Sequence, residues 1–216
     1  MSKIQVVVAR YLEDLTWLET IKHLCLVYNK KPCPLLSLSF NTIDLPNVGR
    51  EADTYLRHII ENYPNFPEYT VFTQANIADH VNEVGNFVNR IREVENGIIV
   101  AMDGYIGLNE LRVNQGWNDI NDFTDPSHVS LPLKEWWFRL YAKPPEKNII
   151  RCNYCAIFQV SRKNILFHSK TFYEKLLEFL LAEENICPYI LERFWTSIFN
   201  GKTKSILDDD FCGDQC

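Results

Sequence analysis

Short continuous apolar runs alternate along this chain with segments whose apolar positions recur at helical spacing. The runs predict buried strands and lie at residues 4–9, 23–28, 69–74, 97–101 and 155–160. The helical spacing predicts a segment carrying Leu12, Leu15 and Leu18 and helices at residues 50–63, 81–94, 172–182 and 189–199. Because strands and helices alternate, the pattern predicts an α/β fold in one domain, with a mostly parallel central sheet flanked by helices. The strand order stays open at this level.

A long polar segment interrupts this alternation between residues 104 and 132. It is rich in Asn, Asp and Gly, and so long an irregular stretch in a compact domain is typical of a functional loop or lid, or of a disordered segment. An aromatic segment beginning at Trp136-Trp137 follows it, and residues 201–216 form an acidic tail. We expect the polar segment to close over a site.

Composition and charge argue against several classes of protein. The chain has 216 residues, of which 46% are hydrophobic, and its formal net charge of −6 argues against a general nucleic-acid-binding protein. The apolar run at residues 4–9 is too short for a signal core or a membrane span, and Arg10 follows it. The seven cysteines are odd in number and scattered, so we expect free thiols and a reducing, cytosolic compartment.

The first candidate turn follows the strand predicted at residues 4–9. Tyr11 offers a ring for stacking on a nucleotide base, and the backbone groups of Val8 and Ala9 could bond the base edge. Arg10 adds a cation, and Asp14 could contact a ribose or a metal-bound water. The alternative is an ordinary loop with Tyr11 packed beneath it.

The second candidate turn, residues 47–53, opens the helix predicted at residues 50–63. Gly49 gives the backbone room, and the exposed amides of a helix N-terminus attract phosphate. Arg50 adds a bidentate donor suited to a diphosphate. The alternative is a capped helix in which Arg50 pairs with Glu51 or Asp53. Neither of the glycine-rich dinucleotide and P-loop motifs is present.

The third candidate turn ends in Asp79-His80, beyond the strand predicted at residues 69–74. A carboxylate beside an imidazole suits a divalent ion such as Mn²⁺ or Mg²⁺, and ligands of open α/β sheets gather beyond the carboxyl ends of strands. The alternative is a surface loop. His168, which precedes a predicted helix, is a further candidate ligand.

A separate metal site is also conceivable from the cysteines. Four thiolates could bind zinc, and the candidates are Cys152, Cys155, Cys212 and Cys216. Metal knuckles usually carry Gly or Pro near their turns, and Asn153-Tyr154 offers neither, so the spacing argues against this site. His58 lies within an amphipathic helix, where packing in the core is the expected role.

Several motifs together resemble a family of domains found in fungi, algae and large DNA viruses, long catalogued as of unknown function. The motifs are Val8-Ala-Arg-Tyr-Leu-Glu-Asp14, Val27-Tyr-Asn-Lys30, Leu45-Pro-Asn-Val-Gly-Arg-Glu-Ala52, Thr54-Tyr-Leu-Arg-His-Ile-Ile-Glu-Asn-Tyr63, Thr70-Val-Phe-Thr-Gln74, Ala156-Ile-Phe-Gln-Val-Ser-Arg162 and Phe172-Tyr173. Within this family the chain looks like the amino-terminal glycosyltransferase domain of a multidomain chlorella-virus protein. The resemblance covers about residues 5–199.

This resemblance implies a GT-A-like fold and a glycosyltransferase that uses a UDP-sugar donor and Mn²⁺. It implies glucose or rhamnose as the sugar, retention of anomeric configuration, a glycan acceptor and a role in viral capsid glycan synthesis in the host cytoplasm. The nucleotide-binding part is then expected over about residues 1–103, the acceptor side over 104–200 and the tail over 201–216, in a domain that could be the first of a longer protein.

The metal site departs from the usual GT-A pattern, which is Asp-x-Asp. The corresponding stretch here is Ala78-Asp79-His80. Either Asp79 and His80 both bind the ion, or one of them binds and a later residue such as His168 completes the shell.

The catalytic residues predicted for this reaction are Asp79, Asp103 and Gln159. Asp79 holds the metal, while Asp103 and Gln159, each near a strand, are candidates for the group that neighbours the anomeric carbon. Two alternatives remain: a sugar-nucleotide hydrolase or nucleotidyltransferase with the same phosphate chemistry, or a nucleotide- or carbohydrate-binding module without turnover.

Overall fold

The first apolar run of the chain, β1 (Ile4–Arg10), is the strand around which a six-stranded sheet is built. The computed structural model describes residues 2–33, 39–78, 80–81, 83–98, 105–107, 118–120, 131–143, 150–152, 156–201 and 203–210. The other strands are β2 (Cys25–Asn29), β3 (Asn41–Asp44), β4 (Tyr69–Gln74), β5 (Tyr105–Gly107), β6 (Asn118–Ile120), β7 (Ile150–Cys152) and β8 (Phe158–Ser161). The helices are a 3₁₀ helix (Thr16–Leu24), α1 (Arg50–Asn62), α2 (Val84–Glu95), α3 (Leu133–Tyr141), α4 (Arg162–Ile165), α5 (Lys170–Ala182) and α6 (Cys187–Asn200).

The strand order of the main sheet is β3-β2-β1-β4-β8-β5. Strands β3, β2, β1 and β4 are parallel, whereas β8 runs antiparallel to both β4 and β5. Strands β6 and β7 form a separate antiparallel pair. The predicted α/β class, with a mostly parallel sheet flanked by helices, is confirmed.

Alternation along β1 distributes its apolar side chains between two cores, one on each face of the sheet. Val7 and Ala9 pack into a large core with α1, α3, α5 and α6, and Ile4, Val6 and Val8 pack into a second core with the 3₁₀ helix and α2. A strand buried on both faces reads as a continuous apolar run. This is why the sequence predicts β1 without ambiguity.

The predicted elements differ from the observed ones where polar residues or helix ends are involved. Strand β3 was not predicted because its residues are mostly exposed at the sheet edge. The segment after β1 forms a 3₁₀ helix, α2 starts three residues later than expected, and Trp136-Trp137 lies within α3. Gly97 and Ile98 of the strand predicted at residues 97–101 form a turn after α2, and the rest of that run lies outside the described residues.

Strands β5 and β6 fall within the long polar segment at residues 104–132, and most of that segment lies outside the described residues. Within the described ranges, none of the helices combines the length and apolar character needed to cross a bilayer.

His58 of α1 is a buried polar group whose charge state is linked to folding. Its Nδ1 lies 3.1 Å from the Tyr28 hydroxyl, and its Nε2 has no hydrogen-bond partner among the described residues. Burial lowers the pKa of His58 from 6.5 to about 4. The folded protein therefore keeps this imidazole neutral at a pH where the unfolded chain binds a proton.

The contribution of the neutral His58 to the free energy of unfolding is thus fully present above pH 6.5, the pKa in the unfolded chain. This contribution is lost as the pH falls from 6.5 toward about 4. Between about pH 7.5 and about pH 5, we expect His58 to account for a loss of roughly 2 kcal/mol in the free energy of unfolding. His58→Gln retains an acceptor for Tyr28 but does not titrate. Urea denaturation at the two pH values should show a smaller loss in this variant than in the wild type; equal losses would contradict the assignment.

Candidate functional site

Polar residues end all four parallel strands and form a row along the carboxyl edge of the sheet. Arg10 is in register with Asn29, and Asn29 with Asp44. The Arg10 guanidinium donates to the Asn29 side-chain oxygen at 2.8 Å, and the Asn29 amide donates to Asp44 Oδ1 at 3.1 Å. On the other side of β1, Gln74 is in register with Ala9. The row is therefore joined by hydrogen bonds on the side of β2 and β3.

The strand order of the sheet reverses at β1. The chain runs from β1 to β2 and β3 on one side and then crosses to β4 on the other. Such a topological switch point leaves a crevice at the carboxyl ends of the two strands, where open α/β sheets bind ligands. The segment after β4 is fixed to β1 because the Ala75 amide donates to the Ala9 carbonyl at 2.9 Å. Trp17 Nε1 in turn donates to the Ala75 carbonyl at 2.9 Å.

The turn after β1 carries backbone N–H groups that are held by an internal carboxylate. Glu13 Oε2 accepts from the amides of Tyr11 and Leu12 at 2.7 and 3.1 Å. Two neighbouring amides that converge on one anionic oxygen have the geometry of a small anion-binding site. The Tyr11 ring is 40% exposed, and the Lys31 ammonium lies 5.5 Å from the ring centroid. The stacking surface predicted at Tyr11 is thus accessible and not packed under the loop.

A cavity of about 440 Å³ opens beside this turn, within the range of 300–1,000 Å³ typical of small-molecule sites. Its lining includes Arg10, residues 12–16 and Phe40, and Tyr11 is next to these residues in the chain. The carboxylate of Asp14 lines this cavity and accepts from the hydroxyl and the amide of Thr16. These two hydrogen bonds lower the pKa of Asp14. The carboxylate is therefore ionised at neutral pH, and Thr16 fixes its orientation.

The structure corrects part of the prediction for the first turn. Val8 and Ala9 pair with both β2 and β4, so their backbone groups belong to the sheet and do not face a ligand. Arg10 is only 9% exposed, and its Nε donates to the Glu13 carbonyl at 2.9 Å. Arg10 therefore shapes the turn. The amides that face an anionic oxygen lie three residues later than predicted, at Tyr11 and Leu12.

The turn before α1 has an unusual backbone. Gly49 and Arg50 have φ angles of 60° and 53°, so two consecutive residues adopt the left-handed conformation. A Cβ on Gly49 would lie 2.8 Å from the Cβ of Asp53 and 2.9 Å from a methyl carbon of Leu180. The glycine is thus required both by its backbone angle and by the close approach of α5.

The Arg50 side chain extends over α6. Its Nη1 donates to the Tyr189 hydroxyl at 3.0 Å, its guanidinium carbon lies 5.1 Å from the Tyr189 ring centroid, and its Nε is 3.6 Å from a Glu51 carboxylate oxygen. The alternative expected from the sequence, a pairing with Glu51, is therefore present. Asp53 is bound instead by Lys30 and Arg57. The Arg50 side chain remains more than half exposed at the edge of the helix.

The turn that ends in Asp79-His80 begins at the switch point. His80 is half-buried, and its amide donates to the Ile77 carbonyl at 2.9 Å. Ile77 and Val81 anchor the turn in the second core. Asp79 itself lies outside the described residues. Among the residues that are described, no group of three His, Cys, Asp or Glu side chains could hold a metal ion.

His168 lies at the opposite edge of the sheet and does not join this turn. It follows β8, which ends beside the start of β4, and its carbonyl accepts from the Tyr63 hydroxyl at the C-terminal end of α1. The imidazole is fully buried, with Nδ1 2.7 Å from Asp208 and the ring stacked on Phe172. Its prediction as a ligand that completes the metal shell is corrected: it fixes residues 203–210 to the start of α5.

The remaining predicted residues do not gather at the carboxyl edge. Gln159 is buried in β8 opposite Val71, three residues before the end of β4, which places it roughly 10 Å below the edge. It is therefore not placed to act on a ligand there. Asp103 lies outside the described residues, as do the side chains of the four cysteines considered for zinc.

The structure places the turns after β1 and β4 side by side at the carboxyl edge of the sheet, and Lys30, directly after β2, joins the turn before α1 to the turn after β1. Comparison with known families adds one match, to a model described as a protein of unknown function (DUF3431), over residues 6–215. The chain belongs to the DUF3431 family. No curated protein and no solved structure matches this DUF3431 chain.

Four polar residues at the carboxyl edge of this DUF3431 chain were not predicted from the sequence as site residues: Asn29, Lys30, Asp44 and Asp53. Asn29 and Lys30 stand directly after an apolar run, the signal that identified Arg10, so they could have been found in the same way. Asp44 was missed together with β3. Asp53 was considered only as a possible partner of Arg50, but it is completely buried and binds Lys30 at 3.3 Å and Arg57 at 2.8 Å.

Proposed function

We propose that this protein is a metal-dependent glycosyltransferase that moves a sugar, glucose or rhamnose, from a UDP-sugar to a glycan acceptor. The observation that carries the proposal is the switch point between β1 and β4, flanked by the Tyr11–Asp14 turn on one side and the Asp79-His80 turn on the other. The resemblance of the segment Val8–Asp14 and of the other motifs quoted above to a viral glycosyltransferase domain supports it.

The nucleoside part of the donor fits the cavity beside the first turn. Tyr11 supplies an exposed ring for stacking on the base, and the amides of Tyr11 and Leu12 suit an oxygen of the ligand in place of Glu13. The ionised carboxylate of Asp14 can accept from ribose hydroxyls. Carboxylates around this cavity accept hydrogen bonds from the ribose diol but repel a diphosphate. The diphosphate therefore belongs at the cationic part of the edge, near Lys30 and Arg50.

The residue types at the third turn suit a divalent ion. Asp79 and His80 would hold it, because a carboxylate oxygen and an imidazole nitrogen are ligands that suit Mn²⁺. When bound, the ion would supply Lewis-acid neutralisation of the leaving diphosphate. The internal carboxylate on the Tyr11 and Leu12 amides shows that this edge already stabilises an anionic oxygen.

The chain's own residues then bind and orient the donor. The turn after β1 and the turn before α1 hold the two parts of the donor in a fixed relative position. The amides before α1 and the Arg50 guanidinium stabilise negative charge on the leaving group. Attack from the leaving-group face would retain the anomeric configuration.

A donor screen tests the proposal. UDP-sugars and GDP-sugars are each incubated with Mn²⁺ or with a chelator, and released nucleotide and transferred sugar are scored. We expect release of UDP, dependent on Mn²⁺ and increased by a glycan acceptor. Free sugar without transfer to any acceptor would favour a hydrolase, and calorimetric binding of UDP without metal dependence or turnover would favour a binding module.

A further inference from the structure

Lys30 is a buried lysine at the carboxyl edge whose ammonium group is fully used within the protein. The residue is 7% exposed, and its Nζ donates to the carbonyl oxygens of Val48 and Arg50 and to Asp53 Oδ2, the last at 3.3 Å. Three acceptors match the three protons of an ammonium group. Burial lowers the pKa of Lys30, and the Asp53 carboxylate opposes this effect.

The position of the Lys30 ammonium group does not stabilise helix α1. Lys30 lies at the N-terminus of α1, where the helix dipole favours negative charge and disfavours positive charge. Burying an amine is also costly unless it is paired. An apolar residue would fill the same space, and Arg57 already pairs with Asp53 at 2.8 Å. What Lys30 adds is its hold on the two carbonyls of the turn.

These two contacts determine the direction of the neighbouring amides. In a trans peptide the C=O and the following N–H point in opposite directions. Because the carbonyls of Val48 and Arg50 point at Lys30, the N–H groups of Gly49 and Glu51 point away from it. The contacts also hold Arg50 in its left-handed conformation, with a φ of 53°.

Lys30 also connects the two turns. Its backbone amide donates to the Arg10 carbonyl at 2.8 Å, at the start of the Tyr11–Asp14 turn, while its side chain holds the turn before α1. A single residue thus fixes the position of one turn relative to the other.

We propose that Lys30 is a positioning residue that sets the spacing between the nucleoside part and the diphosphate part of the site. This inference rests on the proposed function, since it assumes a ligand that spans both turns. A nucleoside touches the first turn alone, and a nucleoside diphosphate needs both turns at the correct spacing. Lys30 therefore determines the preference for UDP over uridine and does not contact the ligand itself.

The test is calorimetry of uridine and UDP binding to the full chain with Mn²⁺. For Lys30→Met we expect a loss of UDP affinity of roughly ten-fold or more, with uridine affinity within about two-fold of the wild type. Arg57→Met is the matched control, because it removes the other cation from Asp53 but no contact to the turn. We expect it to retain the preference for UDP.

Each other outcome overturns the inference. Wild-type UDP affinity in Lys30→Met would remove the role of Lys30 and leave the proposed function standing. Equal losses for uridine and UDP, or the same selective loss in Arg57→Met, would show a general effect on the fold or on Asp53. A wild-type protein that binds neither ligand would overturn the proposed function and this inference with it.

A second variant covers the case in which Lys30→Met does not fold. Lys30→Arg keeps the charge, but a planar guanidinium cannot direct its donors at the same three converging acceptors. We expect the same selective loss of UDP affinity, and unchanged affinity would overturn the inference. Amide NMR with pyrophosphate gives an independent measurement: the Gly49 and Glu51 resonances should shift in the wild type and not in the variant.

Discussion

Asp79→Asn is expected to lower Mn²⁺-dependent release of UDP from the preferred UDP-sugar by roughly 100-fold or more. The substitution removes the charged oxygen ligand of the proposed ion but keeps the size of the side chain. The melting temperature of the ligand-free protein should therefore remain close to that of the wild type. The measurement is the initial rate of UDP release as a function of Mn²⁺ concentration.

Asp209→Asn is the matched control for this variant. Asp209 is an exposed carboxylate that accepts from the Thr171 hydroxyl at 2.9 Å, near the edge of the sheet opposite the site. It should keep the wild-type rate and the wild-type Mn²⁺ dependence. His168→Gln should also keep the Mn²⁺ dependence in its folded fraction, because His168 lies at that same edge. Wild-type activity in Asp79→Asn would place the metal elsewhere.

Gly49→Ala is expected to lower the free energy of unfolding by roughly 2–4 kcal/mol. About 1 kcal/mol comes from placing an alanine in the left-handed conformation, and the rest from the overlap of its Cβ with Asp53 and Leu180. Because relief of the overlap moves the turn held by Lys30, we also expect UDP affinity to fall. Urea denaturation and calorimetry measure the two effects.

Gly97→Ala separates the backbone effect from the overlap. Gly97 has a φ of 70°, similar to that of Gly49, but a Cβ added there would meet no atom within 4 Å. We expect a loss of about 1 kcal/mol and no change in UDP affinity. If the two variants lose equal stability, the close approach of α5 to Gly49 is not a constraint on the turn.

The two largest expected effects concern different turns of the proposed site, and they test different parts of the proposal. Asp79 concerns metal chemistry at the turn after β4, and Gly49 concerns the backbone that precedes α1. A variant set in which only Gly49→Ala affects nucleotide binding would support diphosphate recognition by the turn and argue against metal binding at Asp79. The opposite pattern would place recognition mainly at the switch point.

Much of the fold could be predicted from local pattern. Strand β4 was predicted with its observed limits because it reads as a continuous buried run, and α1 was predicted to within one residue because its apolar positions repeat with a period of 3.6. Strand β3 could not be found in this way, since its exposed residues bury too little apolar surface to leave a pattern. The antiparallel direction of β8 has no local signature either.

The candidate site was predicted in part for the same reason. Residues that follow buried strands lie at the sheet edge, and Tyr11 and Asp14 lie there because they follow β1. His168 was misplaced because its type suggested a ligand, whereas its position depends on the direction of β8. Gln159 was misplaced because the sequence gives neither the direction of β8 nor its register with β4. Its distance from the carboxyl edge depends on both.

The sequence by itself determined the α/β class, the buried strands, the amphipathic helices and the turns that follow them, because these depend on periodicities within a few residues. Only the tertiary structure decided the strand order, the switch point between β1 and β4, and the contacts of Lys30 with Arg10, Val48 and Arg50. Each of those contacts joins residues 18 or 20 positions apart in the chain. They exist because parallel strands bring their carboxyl ends to one edge, a consequence of how the elements pack and not of any single segment.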